Sequence, residues 1–286
     1  MSGLEPLLQR AERLLGRLEA LLPVAASPPD WEHAVAFRWR DGGIETVHHP
    51  HAVPPDSLHR VDRQKERLDR NTRQFVAGLP ANNALLWGSR GTGKSSLVKA
   101  MLHAYADQGL RLIEVRPDDL TELPLIIDRI ADRPERFILF CDDLSFEADD
   151  PGYKALKASL DGSLSAAPDN LLIYATSNRR HLLPESMRDN LDSRHVDGEL
   201  HHGEAVEERI SLSERFGLWI AFHPFDQDAY LNIVEGWLAH YGLNLTHAAD
   251  TRERALRYAL ERGSRSGRVA AQFARDYAGM VGLEQR

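Results

Sequence analysis

Eight consecutive residues, Gly88-Ser89-Arg90-Gly91-Thr92-Gly93-Lys94-Ser95, bring together the residue types that hold a polyphosphate. They fit G-x-x-x-x-G-K-[ST], the phosphate-binding loop. The glycines let the backbone turn tightly, so that successive N–H groups converge on a β-phosphate. Lys94 adds a mobile positive charge for the β- and γ-phosphates, and the Ser95 hydroxyl is a ligand for Mg²⁺. Ser96 continues the cradle at the start of a helix whose N-terminus faces the anion. The loop 88–96 is therefore expected to bind Mg-ATP.

Two further stretches carry matching chemistry. Phe137-Ile138-Leu139-Phe140-Cys141-Asp142-Asp143 is an apolar run closed by two acids. Burial of the run as a strand places the acids at its C-terminal end, beside the phosphate loop. Asp142 would orient the Mg²⁺ hydration shell and Asp143 would polarise an attacking water. Ala175-Thr176-Ser177-Asn178 ends another apolar strand. A polar side chain there holds a water or reads a γ-phosphate; in isolation it would be read as an Asn capping a turn.

These stretches need a scaffold, and the surrounding pattern supplies one. Ala84-Leu85-Leu86-Trp87 reads as the strand before the loop and Ser96–Leu102 as the helix after it. Strands follow at 110–115, 137–141, 171–176 and 218–222, with helices between them from Asp118 to Ile130 and from Tyr153 to Leu164. Such alternation predicts a parallel sheet covered on both faces. Upstream, 58–75 reads as a charged helix ended by Gly78-Leu79-Pro80. Downstream, 229–241, 251–262 and 266–280 read as helices, with Gly242 and Gly263 as stops.

The first 57 residues are of another kind. Leu4, Leu8, Ala11, Leu15, Leu18 and Leu22 mark an amphipathic helix, either packed on its own domain or offered to a partner. A Pro-bounded linker over 23–29 leads to a hairpin over 34–47 turning at Asp41-Gly42-Gly43. His48, His49 and His51 follow, and no nearby Cys or carboxylate completes a metal set with them. A polar, His-containing stretch from Arg179 to Glu208 reads as a long irregular insertion. The expected division is an N-terminal extension over 1–57, an α/β nucleotide-binding core over 58–224 and a helical lid over 225–286.

The composition sets limits on partners. The chain has 286 residues, a net charge of −8 and 42% hydrophobic residues. That is enough for one large domain or a core with a satellite, and it lacks the global basic footprint of a nucleic-acid binder. The single cysteine, Cys141, rules out an intramolecular disulfide. No apolar run is long enough to span a membrane. A cytoplasmic protein is expected, with no membrane partner.

The order of these features (phosphate loop, Asp-Asp strand, Asn-ended strand, Arg before a strand, helical tail) resembles the AAA+ ATPase superfamily over roughly 55–282. Asp-Asp in place of Asp-Glu resembles its initiator and helicase-loader branch. The wording Leu85-Leu86-Trp87-Gly88 and Cys141-Asp142-Asp143-Leu144-Ser145-Phe146-Glu147 resembles a bacterial AAA+ ATP-binding family described as a domain of unknown function. The resemblance implies a three-layer P-loop NTPase core with a small helical lid, and further roles. Asn178 matches the first sensor. Arg215 matches the arginine finger that reaches the γ-phosphate of a neighbouring subunit, with Arg194 as its rival. Arg268 matches the second sensor on the lid, with Arg265 as its rival. Val61 and Asp62 lie where the family's adenine-side segment precedes the phosphate loop. ATP and Mg²⁺ are the implied cofactors, ATP and ADP the ligands, and a homo-oligomer with nucleotide at subunit interfaces the implied assembly.

One departure stands out. Asp143 replaces the usual glutamate and is one methylene shorter, so hydrolysis is expected to be slow, or Glu147 contributes. Three functions compete: an ATPase that remodels or loads a macromolecular client, a nucleotide-dependent assembly switch, and a DNA-associated initiator or regulator. The acidic balance and the lack of a helix-turn-helix or basic tail count against the third. A metabolite kinase is more distant, because the tail carrying Arg268 suits a lid.

Overall fold

A computed structural model describes residues 28–146, 150–161, 168–180, 182, 194–196, 199–201, 212–243 and 248–284. The amphipathic stretch 4–22, Glu147 and much of the insertion 179–208 lie outside them.

The main sheet is built from β1 (Ala36–Arg40), β2 (Gly43–Thr46), β3 (Ala84–Gly88), β4 (Leu110–Glu114), β5 (Arg136–Cys141), β6 (Leu171–Ser177) and β9 (Leu218–Phe222). Its order is β2-β1-β4-β5-β6-β3-β9, and every pairing except the β1–β2 hairpin is parallel. A separate antiparallel pair, β7 (Arg194–Val196) and β8 (Glu199–His201), lies within the insertion.

Strand alternation explains the layers. Side chains of successive strand residues point to opposite faces. Leu85, Phe137, Leu139 and Cys141 therefore belong to one core, while Ala84, Leu86, Ile138 and Phe140 belong to another. Helices α3 (Leu123–Ile130) and α4 (Pro151–Asp161) cover the first face through Leu123, Ile126, Ile130, Tyr153 and Leu156. Helices α1 (Asp62–Val76) and α2 (Lys94–Tyr105) cover the second through Leu68, Phe75, Leu97, Val98 and Met101. Each such side chain contributes on the order of 1.5–3 kcal/mol when fully buried. A third core unites α5 (Gln227–His240), α6 (Ala248–Glu261) and α7 (Gly267–Glu284) around Tyr230, Val234, Leu238, Ala259, Ala270 and Phe273. The expected three-layer α/β/α core is thus present, with a helical unit after it. Among the described residues no helix is long and apolar enough to cross a membrane.

Two local readings change. The hairpin forms, but it joins the main sheet: β1 pairs in parallel with β4, Ala36 opposite Leu112 and Phe37 opposite Ile113. Arg38 and Glu114, also opposite each other, form an ion pair at 2.9 Å. The charged helix begins at Asp62 and not at Leu58. A 3₁₀ turn occupies Pro55–Ser57, and Arg60 has φ 62°, a left-handed conformation that a helix does not continue through.

Candidate active site

The parallel register delivers the three chemical stretches to one edge. Leu86 lies opposite Thr176 and Trp87 opposite Ser177, while Cys141 lies opposite Ala175. The ends of β3, β6 and β5 are therefore neighbours at the carboxyl edge of the sheet, where ligands of open α/β sheets bind. The phosphate loop leaves β3, the acids follow β5, and Asn178 follows β6, the strand between them.

The loop geometry explains its glycines. Gly88 has φ 125°, and a Cβ there would lie 2.0 Å from the Phe222 carbonyl oxygen of β9. Gly91 has φ 70°, and a Cβ there would lie 2.8 Å from the Ser266 Cβ. Glycine permits both the positive φ and the close approach. The Ser89 N–H donates to the Phe222 carbonyl at 3.0 Å, and the Gly267 N–H donates to the Gly91 carbonyl at 2.8 Å. The Thr92 hydroxyl donates to the Ser89 carbonyl at 2.7 Å. The loop is thereby fixed to the sheet on one side and to the start of α7 on the other. Gly93 precedes α2 as its N-cap and supplies no side-chain cap, so backbone donors of the first turn remain for an anion.

Polar side chains close a continuous circuit. Lys94, only 7% exposed, donates to the Gly88 and Ser89 carbonyls, both at 2.8 Å, and to Asn178 Oδ1 at 3.1 Å. Asn178 Nδ2 donates in turn to Asp143 Oδ1. The Ser95 and Thr176 hydroxyls each donate to Asp142 Oδ1 at 2.6 Å. The Asp143 N–H donates to Thr176 Oγ1 at 2.8 Å, which completes the path from Lys94 back to Ser95. Burial holds the Lys94 ammonium below the ordinary lysine range, against the opposing pull of Asp143 and Asp142. Arg90 and Arg268 push it further down.

A cavity of about 670 Å³ opens over this circuit. It falls in the range of about 300–1,000 Å³ typical of small-molecule sites. Its lining includes four cations, Arg90, Lys94, Lys99 and Arg268, and two carboxylates, Asp142 and Asp143. It also includes Leu58, His59 and Val61 before α1, Phe225 just before α5, and Ile233 and Trp237 on α5. Gly91, Thr92, Gly93, Ser95, Ser96, Thr176 and Asn178 also line it.

Of the residues marked by sequence, Val61 is buried and faces the cavity, whereas Asp62 is exposed and lies on a neighbouring depression with Lys65 and Asn232. Gly88 and Ser89, expected to touch the nucleotide, are not among the residues that line the cavity; their carbonyls accept hydrogen bonds from the Lys94 ammonium. Arg268 faces the cavity from the first turn of α7, but its rival Arg265 does not. Arg215 does not face it either: its Nε donates to Asp161 at the end of α4. Arg194 lies on β7, in the separate two-stranded pair.

Thr176, Lys99, His51, His59, Phe225 and Trp237 face the cavity and were not singled out as site residues. For Thr176 the signal was present, since it lies in the stretch Ala175-Thr176-Ser177-Asn178 at the end of β6. The aromatic residues carry no such local sign. Among the described residues no cluster of three or more His, Cys, Asp or Glu side chains could hold a metal.

Known structures share this architecture. The Thermotoga maritima RuvB Holliday junction branch migration motor aligns with 14% identity and a TM-score of 0.56, over 82% of this chain and 67% of that one. The Aeropyrum pernix ORC1 protein in complex with DNA aligns with 16% identity and a TM-score of 0.53, over 83% and 63% respectively. No curated protein matches the sequence. The family described as Protein of unknown function (DUF815) matches residues 32–281, and the chain belongs to that family, on an AAA+ P-loop fold.

Proposed function

We propose that this chain is a Mg²⁺-dependent ATPase that couples ATP binding and hydrolysis to remodelling, loading or switching a macromolecular partner. The observation that carries the reading is the closed circuit from Lys94 through Asn178, Asp143, Thr176 and Asp142 to Ser95, set beneath a cavity with an excess of cations. That local charge contrasts with the net −8 of the chain.

The residues present fit a magnesium nucleotide. Gly91 at φ 70° and Gly93 at φ 100° give the loop the positive-φ backbone that turns successive N–H groups toward an anion, and Ser95 with Asp142 offers the hard oxygen donors that Mg²⁺ prefers. When bound, Mg²⁺ neutralises charge on the β- and γ-phosphates. In this reading the loop N–H groups and Lys94 bind the phosphates, and Asn178 orients Asp143, whose carboxylate takes a proton from the attacking water. Val61 and the apolar wall on α5 take the base, and Arg268 ties the helical unit over 225–286 to the γ-phosphate as a lid. Arg215 acts on the nucleotide of a neighbouring copy, which makes the working form a homo-oligomer.

A second reading is a slow, nucleotide-dependent assembly switch, favoured by the short Asp143 side chain and its bond to Asn178. Steady-state turnover with and without DNA separates motor, switch and DNA-stimulated regulator. The test of the common core is Lys94→Ala. Hydrogen bonds to charged groups contribute about 1.5–3 kcal/mol each, so calorimetric ATP affinity is expected to fall about a hundredfold. Unchanged affinity overturns the proposal.

A further inference from the structure

Thr176 stands at a junction that the motifs do not predict. β6 lies between β3, which leads to the phosphate loop, and β5, which leads to the acids. The Thr176 side chain, 1% exposed, is thus placed between the two motifs. Its hydroxyl has one proton to give. That proton goes to Asp142 Oδ1, 2.6 Å away, so the same oxygen accepts the Asp143 N–H at 2.8 Å. The Thr176 carbonyl accepts the Leu144 N–H at 2.7 Å. One residue therefore grips 142–144 at three points.

The grip has a structural reason. Asp143 has φ 54°, a left-handed conformation that is uncommon outside glycine and persists where the surroundings over-determine it. Thr176 bonds the backbone on both sides of the Asp143 α-carbon, through the Asp143 N–H and the Leu144 N–H. It also supplies the second donor on the Asp142 oxygen to which Ser95 is bonded. If the Ser95 hydroxyl turns toward a metal, the Thr176 hydroxyl remains to hold Asp142 in place.

We propose that Thr176 is the positioning residue of this site: its single hydroxyl sets the metal-side carboxylate of Asp142 and the backbone turn that presents Asp143. The inference rests on the Mg-nucleotide reading above and deepens it. Partners one step removed from a metal ligand are worth about 10- to 100-fold in metal affinity or activity.

The test is calorimetric ATP binding with Mg²⁺ and with EDTA, together with kcat and KM, for wild type, Thr176→Val and Thr176→Ser. In wild type Mg²⁺ is expected to tighten ATP binding. Thr176→Val is expected to lose about tenfold of that gain, with a matching fall in kcat and little change in the EDTA titration. Thr176→Ser keeps the hydroxyl and recovers most of both. Should Thr176→Val fail to fold, Thr176→Ala leaves room for a water beside the Asp143 N–H and carries the same expectation. A hydroxyl-free variant that keeps the full Mg²⁺ gain and rate overturns the role of Thr176. So does one whose ATP affinity falls equally with and without Mg²⁺. A wild-type chain that binds no ATP under either condition overturns the nucleotide reading itself.

Discussion

Lys94 and Arg215 are both cations marked by sequence for a phosphate, and the structure places them in opposite circumstances. Lys94 is buried on its own phosphate loop, with carbonyls and Asn178 around its ammonium. Arg215 follows a short turn before β9, a quarter exposed, paired with Asp161 and outside the cavity. The difference teaches that the loop itself holds the Lys94 cation in the cavity, while an ion pair holds Arg215 outside it. Arg215 lies outside the cavity and is paired with Asp161, so acting on a phosphate would require one held elsewhere and release of that ion pair.

That contrast is broken most sharply at Arg215. A finger acting on a neighbour contributes about three to five orders of magnitude in rate. Arg215→Ala is expected to lose turnover on that scale while ATP binding persists, and wild-type specific activity is expected to rise with protein concentration. Mixing Arg215→Ala with Lys94→Ala should restore partial activity, since each supplies the half the other lacks. Activity independent of concentration, with no rescue on mixing, would place the whole site within one chain.

Asp143 sharpens the binding half. General-base groups contribute about 10²- to 10⁴-fold. Asp143→Asn is expected to lose turnover in that range and keep ATP binding. Asn tolerates the left-handed backbone at this position, so the turn is preserved. Full activity in Asp143→Asn with loss in Glu147→Gln would move the role to Glu147, which lies outside the described residues.

The smallest expected effect is that of pH. Burial depresses the Lys94 pKa, so its charge is lost at a lower pH than for an ordinary lysine. ATP affinity should therefore weaken gradually as pH rises through the alkaline range, before exposed lysines titrate. A guanidinium stays protonated throughout. An affinity that is flat to the ordinary lysine range would show that Lys94 is not the phosphate ligand.

The features legible in sequence were those written in consecutive residues. The phosphate loop, the Asp142-Asp143 strand end and the Asn178 strand end each carry their chemistry within a few positions, and parallel pairing sets them side by side. What escaped depends on distant partners. The pairing of β1 with β4 joins residues more than seventy positions apart, and nothing in either segment announces the other. The start of α1 turns on the backbone of Arg60, and Asp62 sits just beyond the cavity that Val61 enters. Trp237 reaches the cavity from α5, which packs against α7, and Phe225 reaches it from the segment just before α5. The pattern of α5 alone does not distinguish that face from its core-facing one.

The hairpin has a practical meaning for anyone shortening the chain. A parallel strand at the margin of a sheet presents unpaired N–H and C=O groups that template association with other chains. Here β1 satisfies that side of β4, and Phe37, Trp39 and Ile44 extend the core beyond it. A truncation at residue 57, where composition suggests a boundary, would strip this cover and leave Leu112 and Ile113 at a raw margin. Aggregation of such a fragment would report the lost strand and say nothing about the nucleotide site. A cut before residue 30 leaves the margin sealed.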